Sequence, residues 1–311
     1  MSRFFKKKEQ EEVFIASMVK TSSTSRRVFV AINTIILSIA FLLAVLPVIH
    51  ILAMSFSSNQ AVIAGRVGLW PVDFTIFPYQ HILNNPQFFQ SFFASIQRIF
   101  VGVPFTMLMI ILIAYPLSRS PRQFVGRRYY VWFFLFSMLF SGGLVPLFMI
   151  VRATNIFDTR LALILPHAVS VFNMLILMNF FRNLPAELSE SAMMDGAGHM
   201  SILLRIFLPL SKAALATLVL FTFVHHWNEW FHGLIFINNR SLRPLQTYLR
   251  EILTFPDLAL MDADEIRDWA EFNIRSVQAA QIFITMAPIL IVYPFLQKYF
   301  TKGITLGSVK G

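Results

Sequence analysis

The fold class is decided by Val28–Met54, which has the sequence VFVAINTIILSIAFLLAVLPVIHILAM. A helix needs about 20 apolar residues to cross the hydrocarbon core of a bilayer, and this run exceeds that length. It is too long for the apolar core of a cleaved signal peptide, and the basic leader before it is long as well. The stretch is therefore predicted to be an uncleaved first membrane span.

The composition of the whole chain supports a membrane protein. Of the 311 residues, 56% are hydrophobic and only 14% are charged, whereas a soluble domain carries about 25% charged residues. Too few charged side chains remain to cover a water-facing surface of this size. We expect the spans to be helices, because only helices and closed barrels satisfy their backbone groups in lipid, and the alternating pattern of a membrane barrel is absent.

Five further apolar runs give an all-α membrane protein of six predicted spans. The runs after the first lie at about Phe92–Leu117, Tyr130–Ile150, Leu161–Phe181, Ala213–Ile237 and Val277–Phe300. Together the six spans form a membrane domain over residues 28–300.

Charge sets the predicted orientation. Most Lys and Arg collect in segments 1–27, 118–129, 182–212 and 298–311, and the segments on the other side contain no lysine. The positive-inside rule therefore places both termini, as a basic tail over 1–27 and a short tail over 301–311, in the cytoplasm. The long segment 238–275 falls outside the cell, with a short surface helix predicted at Asp262–Asp268.

The net charge of +10 has a topological explanation, because the basic residues sit at span ends. Nucleic-acid binding would need a basic groove with interleaved aromatics, but the 34 Phe lie mostly inside the apolar runs. The chain has no cysteine, which excludes disulfides, thiol catalysis and cysteine metal sites. We expect no nucleic-acid partner, no metal site and no catalytic residue.

The cytoplasmic segment Arg182–Ser211 is about 30 residues long and too polar to span. Its first half contains good helix formers, and Gly196 and Gly198 then break the regularity. A second amphipathic helix follows, with apolar residues at the spacing of one helix face: Met200, Leu203, Leu204, Phe207 and Leu208. An ordinary connector resting in the lipid headgroups is the alternative interpretation.

This segment contains a specific sequence motif at positions 190–209. It contains Glu190-Ser191-Ala192, three residues, Gly196, nine residues, Ile206, one residue, and Leu208-Pro209. It closely resembles the signature loop of binding-protein-dependent ABC import permeases, Glu-Ala-Ala, three residues, Gly, nine residues, Ile, one residue, Leu-Pro. Every spacing matches, and Ser191 is the one departure. Asp195 and the C-terminal tail also resemble the maltose-type carbohydrate importers, and the branch for oligosaccharides and uronic-acid sugars looks most similar.

The resemblance implies a type I ABC importer permease fold whose loop is a coupling helix docked on a cytoplasmic ATPase. The implied coupling residues are Glu187, Glu190, Ala192, Asp195, Gly196, Ile206, Leu208 and Pro209. The implied partners are a second homologous permease, a dimeric ABC ATPase, an extracellular solute-binding protein and a sugar. ATP and Mg²⁺ would be bound by the ATPase, and this chain would hold no cofactor. The location would be the cell membrane of a prokaryote.

The residues agree with a transport role. The chain has no G-x-x-x-x-G-K-[ST] phosphate loop, so ATP must be hydrolysed elsewhere. Glu187, Glu190 and Met194 lie at i, i+3 and i+7, a mixed polar and apolar stripe that suits a partner groove. Gly196 lets the chain turn without a Cβ clash. This chain is therefore expected to be half of a pore and not an enzyme.

The fifth predicted span contains an unusual polar group near its outer end. Its members are candidates for a sugar-lined path: His226, Trp227, Asn228, Glu229 and Trp230. A charged group in a span is expensive unless it faces a cavity or a partner. The alternative is an interfacial aromatic belt. A two-histidine zinc site at positions 225 and 226 is disfavoured because adjacent helix residues point about 100° apart.

Two other functions compete with a sugar permease. An ABC permease for a non-sugar solute remains open, because the signature loop is shared across cargoes. An ion-coupled secondary transporter would need intramembrane acids and often has inverted repeats. Only Glu229 is such an acid and no repeat is visible, so this alternative is the weaker one.

Overall fold

The computed structural model describes residues 24–253 and 275–307, with side chains over 24–252 and 275–294. Within these ranges the chain is helical and forms no strand, and one isolated antiparallel bridge joins Ser57 to Phe74. The first predicted span is helix α1, Thr24–Ser55. It begins inside the predicted tail 1–27, of which residues 1–23 lie outside the described part.

The second predicted span begins earlier than the hydropathy indicates. Two short helices, α2 (Asn59–Ile63) and α3 (Phe77–Leu83), lead to α4 (Pro86–Ser118). The Asn85 Oδ1 atom accepts hydrogen bonds from the backbone N–H groups of the second and third residues of α4, at 2.8 and 3.2 Å. Proline is well suited to the first helical position, because its missing N–H is not needed there. This cap starts α4 at Pro86 instead of Phe92.

The third and fourth predicted spans are each bent. Helices α5 (Arg127–Leu139) and α6 (Leu144–Ala153) meet at 114°. The 3₁₀ segment Arg160–His167 and α7 (Val171–Arg182) meet at 47°. The sharper bend falls at Gly143, whose φ of +85° is open to glycine and rarely to other residues. Hydropathy counts apolar residues and not backbone angles, so it predicts neither break.

The predicted cytoplasmic loop contains three helices and one wider turn. They are α8 (Ala186–Met194), α9 (His199–Ile202), a π-helical turn (Leu203–Phe207) and α10 (Leu208–Leu210). The fifth span, α11 (Lys212–Asn228), then ends well before the predicted Ile237. Glu229 and Trp230 separate it from α12 (Phe231–Phe236).

The last part of the chain contains a short 3₁₀ helix, Arg240–Leu242, and two α-helices in the described residues. Helix α13 (Leu245–Leu253) lies in the predicted outer segment 238–275. The predicted helix Asp262–Asp268 lies outside the described residues. Helix α14 (Arg275–Gly307) is the sixth predicted span, and it continues into the predicted tail 301–311. In the described residues three helices, α1, α4 and α14, are long and apolar enough to cross a membrane. The number rises to six if the two bent pairs above and a third, His199–Leu210 with Lys212–Asn228 at 84°, are each counted as one span.

Helix α4 is the centre of the bundle. It packs on α7 and α11, while α14 packs on α11 and α1. The largest core cluster joins α4, α7 and α11 to the end of the loop, through residues such as Ile110, Met174, Leu177, Ile202 and Leu218. Most apolar side chains of α1 are exposed, as expected for a helix that faces lipid or another membrane chain. The loop is therefore built onto the core of the bundle.

Candidate functional site

Helix α8 presents one face outward and packs the other on the bundle. Glu187, Glu190 and Met194 are all exposed, Met194 to 88%. On the other side Ala192 and Met193 pack against the main core cluster. The inner face of α8 is thus held against the bundle, while the stripe of Glu187, Glu190 and Met194 on its outer face is exposed and can contact a partner.

Gly196 ends α8 in a Schellman turn. Its backbone N–H donates to the Met193 carbonyl at 3.0 Å, and the Ala197 N–H donates to the Ala192 carbonyl at 2.9 Å. Gly196 has φ +81°, the left-handed region that this motif requires and that glycine occupies without strain. A Cβ atom on Gly196 would meet nothing within 4 Å. The backbone conformation, and not crowding, is therefore the reason for glycine here.

The second half of the loop differs from the predicted amphipathic helix. Residues Leu203–Phe207 form a π-helical turn, in which the Leu208 N–H donates to the Leu203 carbonyl. This wider turn changes which positions share a face. Of the residues on the predicted apolar face, Leu203 and Phe207 are buried, but Met200 and Leu204 are more than half exposed. The predicted face is therefore wrong at these two positions, because its spacing assumed an unbroken α-helix.

A buried cluster ties the loop to the bundle. Phe207 packs edge-on against Tyr115 of α4 and Phe181 of α7, with ring centroids 5.4 and 5.5 Å apart. The Arg119 guanidinium lies 4.2 Å from the Phe207 ring centroid and 4.7 Å from that of Tyr115. Aromatic and cation–π contacts of this kind each contribute roughly 0.5–2 kcal/mol. A displacement of the loop must therefore move α4 and α7 with it.

The other predicted coupling residues divide by position. Asp195 and Pro209 are exposed, whereas Ile206 and Leu208 pack against the core cluster beside Phe207. The predicted coupling residues thus include some that are exposed and others that pack the loop against the bundle core. Contact with an ATPase stays a prediction for all of them.

Two of the predicted substrate-path residues are buried in helix contacts. The Trp227 indole N–H donates to the Thr285 carbonyl of α14 at 3.0 Å, and its side chain is 1% exposed. The His226 Nε2 atom lies 3.3 Å from the Thr106 hydroxyl of α4. A Cβ atom on Gly102 would come within 2.9 Å of the His226 ring, so glycine makes room for it. In this conformation neither side chain lines an open path.

The remaining path candidates lie where α11 stops. Asn228 and Trp230 are exposed, and Glu229 is partly buried. The Glu229 Oε1 atom accepts a hydrogen bond from the His232 backbone N–H at 2.9 Å, which satisfies a donor in the first turn of α12. The buried Arg98 of α4 donates to the Glu229 carbonyl at 3.3 Å and to the Leu163 carbonyl at 3.1 Å. A sugar-contacting role for this group stays a prediction.

The sequence of the chain matches the model of a known family of transport proteins. The model for the binding-protein-dependent transport system inner membrane component matches residues 83–306. The chain belongs to this family. The matched region contains the bundle core, the loop and the α11–α12 break, so these features lie in the part that the family shares.

Similar members of the permease family cover nearly the whole chain. Protein LplC of Bacillus subtilis is 39% identical over 92% of this chain and 96% of its own length. The polygalacturonan/rhamnogalacturonan transport system permease protein YtcP of the same organism is 37% identical over 87% and 94%. A chain in the crystal structure of a bacterial ABC transporter involved in the import of the acidic polysaccharide alginate superposes with a TM-score of 0.80 and 33% identity. That match covers 90% of this chain and 99% of the other.

Sequence reasoning missed several polar residues of this permease-family chain. Arg98 could have been found, since an arginine inside an apolar run needs a partner. Arg119 carries no such signal, because it sits beside a span end, where charged residues are ordinary. His167 lies inside the predicted fourth span, but a histidine can be neutral and so does not signal a partner by itself. Their contacts come from segments far apart in the chain and are visible only in the folded bundle.

Proposed function

We propose that this chain is one of the two pore-forming subunits of an ATP-driven importer, which receives a sugar from an external binding protein. The observation that carries the proposal is the exposed stripe of α8 on a loop locked to the bundle core. Glu187 and Glu190 supply charge and Met194 an apolar anchor. An exposed helix with this mixture of side chains suits the groove of another protein.

The proposed coupling is mechanical. A partner that pushes on α8 acts on a helix whose end is fixed by the Gly196 turn. The push passes through the π-helical turn to Phe207, and from there to Tyr115 and Phe181, which belong to the two central helices. Packed interiors move as units instead of deforming smoothly. Movement of the loop would therefore tilt α4 and α7 and open or close the pore.

The proposed partners follow from what this chain lacks or leaves exposed. No phosphate-binding loop motif occurs in its sequence, so a separate dimeric ATPase would bind ATP and Mg²⁺ on the cytoplasmic side. That assignment puts the α8 loop and both termini in the cytoplasm. The exposed apolar face of α1 supports burial against lipid or a second permease. The family description, a binding-protein-dependent system, supports an external binding protein.

The proposed cargo is an oligosaccharide that contains uronic acids. Two relatives with more than 30% identity support this class: one is named for polygalacturonan and rhamnogalacturonan, the other for the acidic polysaccharide alginate. Both names describe polymers that carry sugar carboxylates. Asn228 and Trp230 are the proposed path residues in this chain, since they remain exposed at the α11–α12 break, and the partly buried Glu229 lies between them.

The coupling proposal is tested by reversing one charge on α8. We expect Glu190→Lys to prevent copurification of the ATPase and to abolish uptake, because the lysine would face a surface that accepts a carboxylate. Asp73→Lys is the matched control, an exposed acid outside the loop whose ion-pair partner, Arg66, is exposed as well. Undiminished ATPase copurification and uptake in Glu190→Lys would contradict the coupling role.

The cargo proposal is tested by competition. Cells that express the importer would be given a labelled uronic-acid oligosaccharide together with an excess of an unlabelled competitor. We expect acidic oligosaccharides to compete at least tenfold more strongly than neutral ones of equal length. Equal competition by the neutral series would contradict an acidic cargo while leaving the coupling role intact.

A further inference from the structure

Three metal-ligating side chains converge where two broken spans meet. His167 ends the 3₁₀ segment before α7, Glu229 lies in the break after α11, and His232 belongs to α12. Their ligand atoms all lie within 4.8 Å of one another. No pattern in the sequence predicts this group, because His167 is far from the other two along the chain.

The two short separations in this group cannot both be good hydrogen bonds. The His232 Nδ1 atom lies 3.1 Å from the His167 Nε2 atom and 3.2 Å from the Glu229 Oε2 atom. An imidazole nitrogen has one lone pair or one N–H in the ring plane, so it cannot form a good hydrogen bond with both neighbours. Ligands bound to Zn²⁺ at about 2.0–2.2 Å in a tetrahedron lie about 3.3–3.6 Å apart, so these atoms need to separate only slightly to share one ion.

The two carboxylate oxygens of Glu229 have separate tasks. Oε1 accepts the backbone N–H of His232 at 2.9 Å, which holds the side chain in place. Oε2 is then directed at the His232 ring. Both side chains are largely buried, His232 to 15% and Glu229 to 11% exposure. The carboxylate is therefore held in one orientation, as an efficient metal ligand needs.

We propose that His167, Glu229 and His232 form a binding site for Zn²⁺ or a similar transition-metal ion. Two imidazoles and one carboxylate match the ligands of open three-residue zinc sites, with the fourth position left for water or another ligand. The buried Arg98 lies beside this group and donates to the Glu229 carbonyl. Its positive charge lowers the affinity for a cation, so the site fills only when the metal is abundant.

A bound ion would act as a brace. It would tie the end of α11 and the start of α12 to the segment before α7, across two bends of the bundle. A permease that must rearrange these bends during transport would be slowed. The site is therefore proposed to be regulatory, and zinc is expected to inhibit uptake.

The test measures metal binding by the full-length chain in lipid nanodiscs, with Co²⁺ as a spectroscopic substitute for Zn²⁺. We expect one equivalent of Co²⁺ to give the intense visible absorption of a tetrahedral site, and Zn²⁺ to remove it. His167→Gln, Glu229→Gln and His232→Gln should each weaken binding at least tenfold. His225→Gln is the matched control, because its ring lies 5.1 Å from the His167 ring yet belongs outside the donor set.

A conservative exchange separates lost ligation from lost folding. His232→Cys keeps a metal-ligating side chain and should retain zinc binding that His232→Gln lacks. The proposal is overturned if the wild type binds no Co²⁺ above the His167→Gln/His232→Gln double variant. It is also overturned if His225→Gln weakens binding as much as His167→Gln, or if His232→Cys binds no more zinc than His232→Gln. In intact cells, zinc inhibition of uptake should disappear in His167→Gln and persist in His225→Gln.

Discussion

The loop Arg182–Ser211 and the α11–α12 break carry polar chemistry in opposite ways. In the loop the charged residues are exposed and lie within one short stretch of sequence, and the buried residues hold them in position. At the break four polar side chains are partly or wholly buried and come from four segments of the chain: Arg98, His167, Glu229 and His232. A surface for a partner needs exposed charge on a firm support. Buried charge needs ligands or counter-charges, which only the fold can bring to it.

The largest expected effect on stability comes from a substitution that removes the buried aromatic contact between the loop and the bundle. Phe207→Ala should lower the free energy of unfolding by about 3–5 kcal/mol, because it empties the space between Tyr115, Phe181 and Arg119. Thermal unfolding of the chain in nanodiscs measures this. Leu204→Ala in the same π-helical turn is the control, since Leu204 is 55% exposed and should change stability by about 0.5 kcal/mol or less. Equal losses would show that the loop has no buried anchor.

The next effect concerns the close helix contact beside the break. Gly102→Ala should cost about 1–3 kcal/mol, since its Cβ would lie 2.9 Å from a His226 ring that is held in the core. The cost should fall when His226→Ala is made as well, because the clash is then absent. Strictly additive losses in the double-mutant cycle would show that the two residues do not meet.

A smaller effect on stability, with a large effect on transport, is expected at the loop turn. Gly196→Val places a β-branched residue at φ +81°, at a cost of about 1–2 kcal/mol, and should misdirect α8 and abolish uptake. Gly198→Val is the matched control, two residues away, with φ −72° and nothing within 4 Å of a new Cβ. Uptake assays at equal expression separate the two. If Gly198→Val stopped transport as completely as Gly196→Val, the left-handed turn would not be the cause.

The smallest expected effect on stability and uptake is at Ser191, the one residue that differs from the signature sequence of the family. Ser191 is exposed, and its hydroxyl donates to the Glu187 carbonyl one turn back at 2.8 Å. Ser191→Ala restores Glu-Ala-Ala and replaces a weaker helix former with the best one. We expect wild-type uptake and a stability change within about 0.5 kcal/mol. A clear loss of uptake would assign the hydroxyl a contact outside this chain.

The contrast between the two regions also explains what is predictable from sequence. Residues Glu190 to Pro209 form one local pattern, so their spacing is enough to identify the loop and its exposed stripe. The pattern fails at Met200 and Leu204, since a π-helical turn is not encoded in apolar spacing. At the break, hydropathy locates the polar residues but runs one helix through to Ile237. Helix α11 ends at Asn228, and the next residue, Glu229, accepts a hydrogen bond at its carbonyl from the side chain of Arg98, which is well over a hundred residues away.

The sequence by itself determined that the chain is a helical membrane protein, where its apolar runs lie, and which loop carries the signature of its family. Each of these follows from local quantities: the length of apolar runs, the placement of Lys and Arg, and the spacing of one motif. Only the tertiary structure decided where the spans bend, that Phe207 and Arg119 join the loop to α4, and that His167 meets Glu229 and His232. Contacts between distant segments depend on how helices pack, and packing is a property of the assembled bundle.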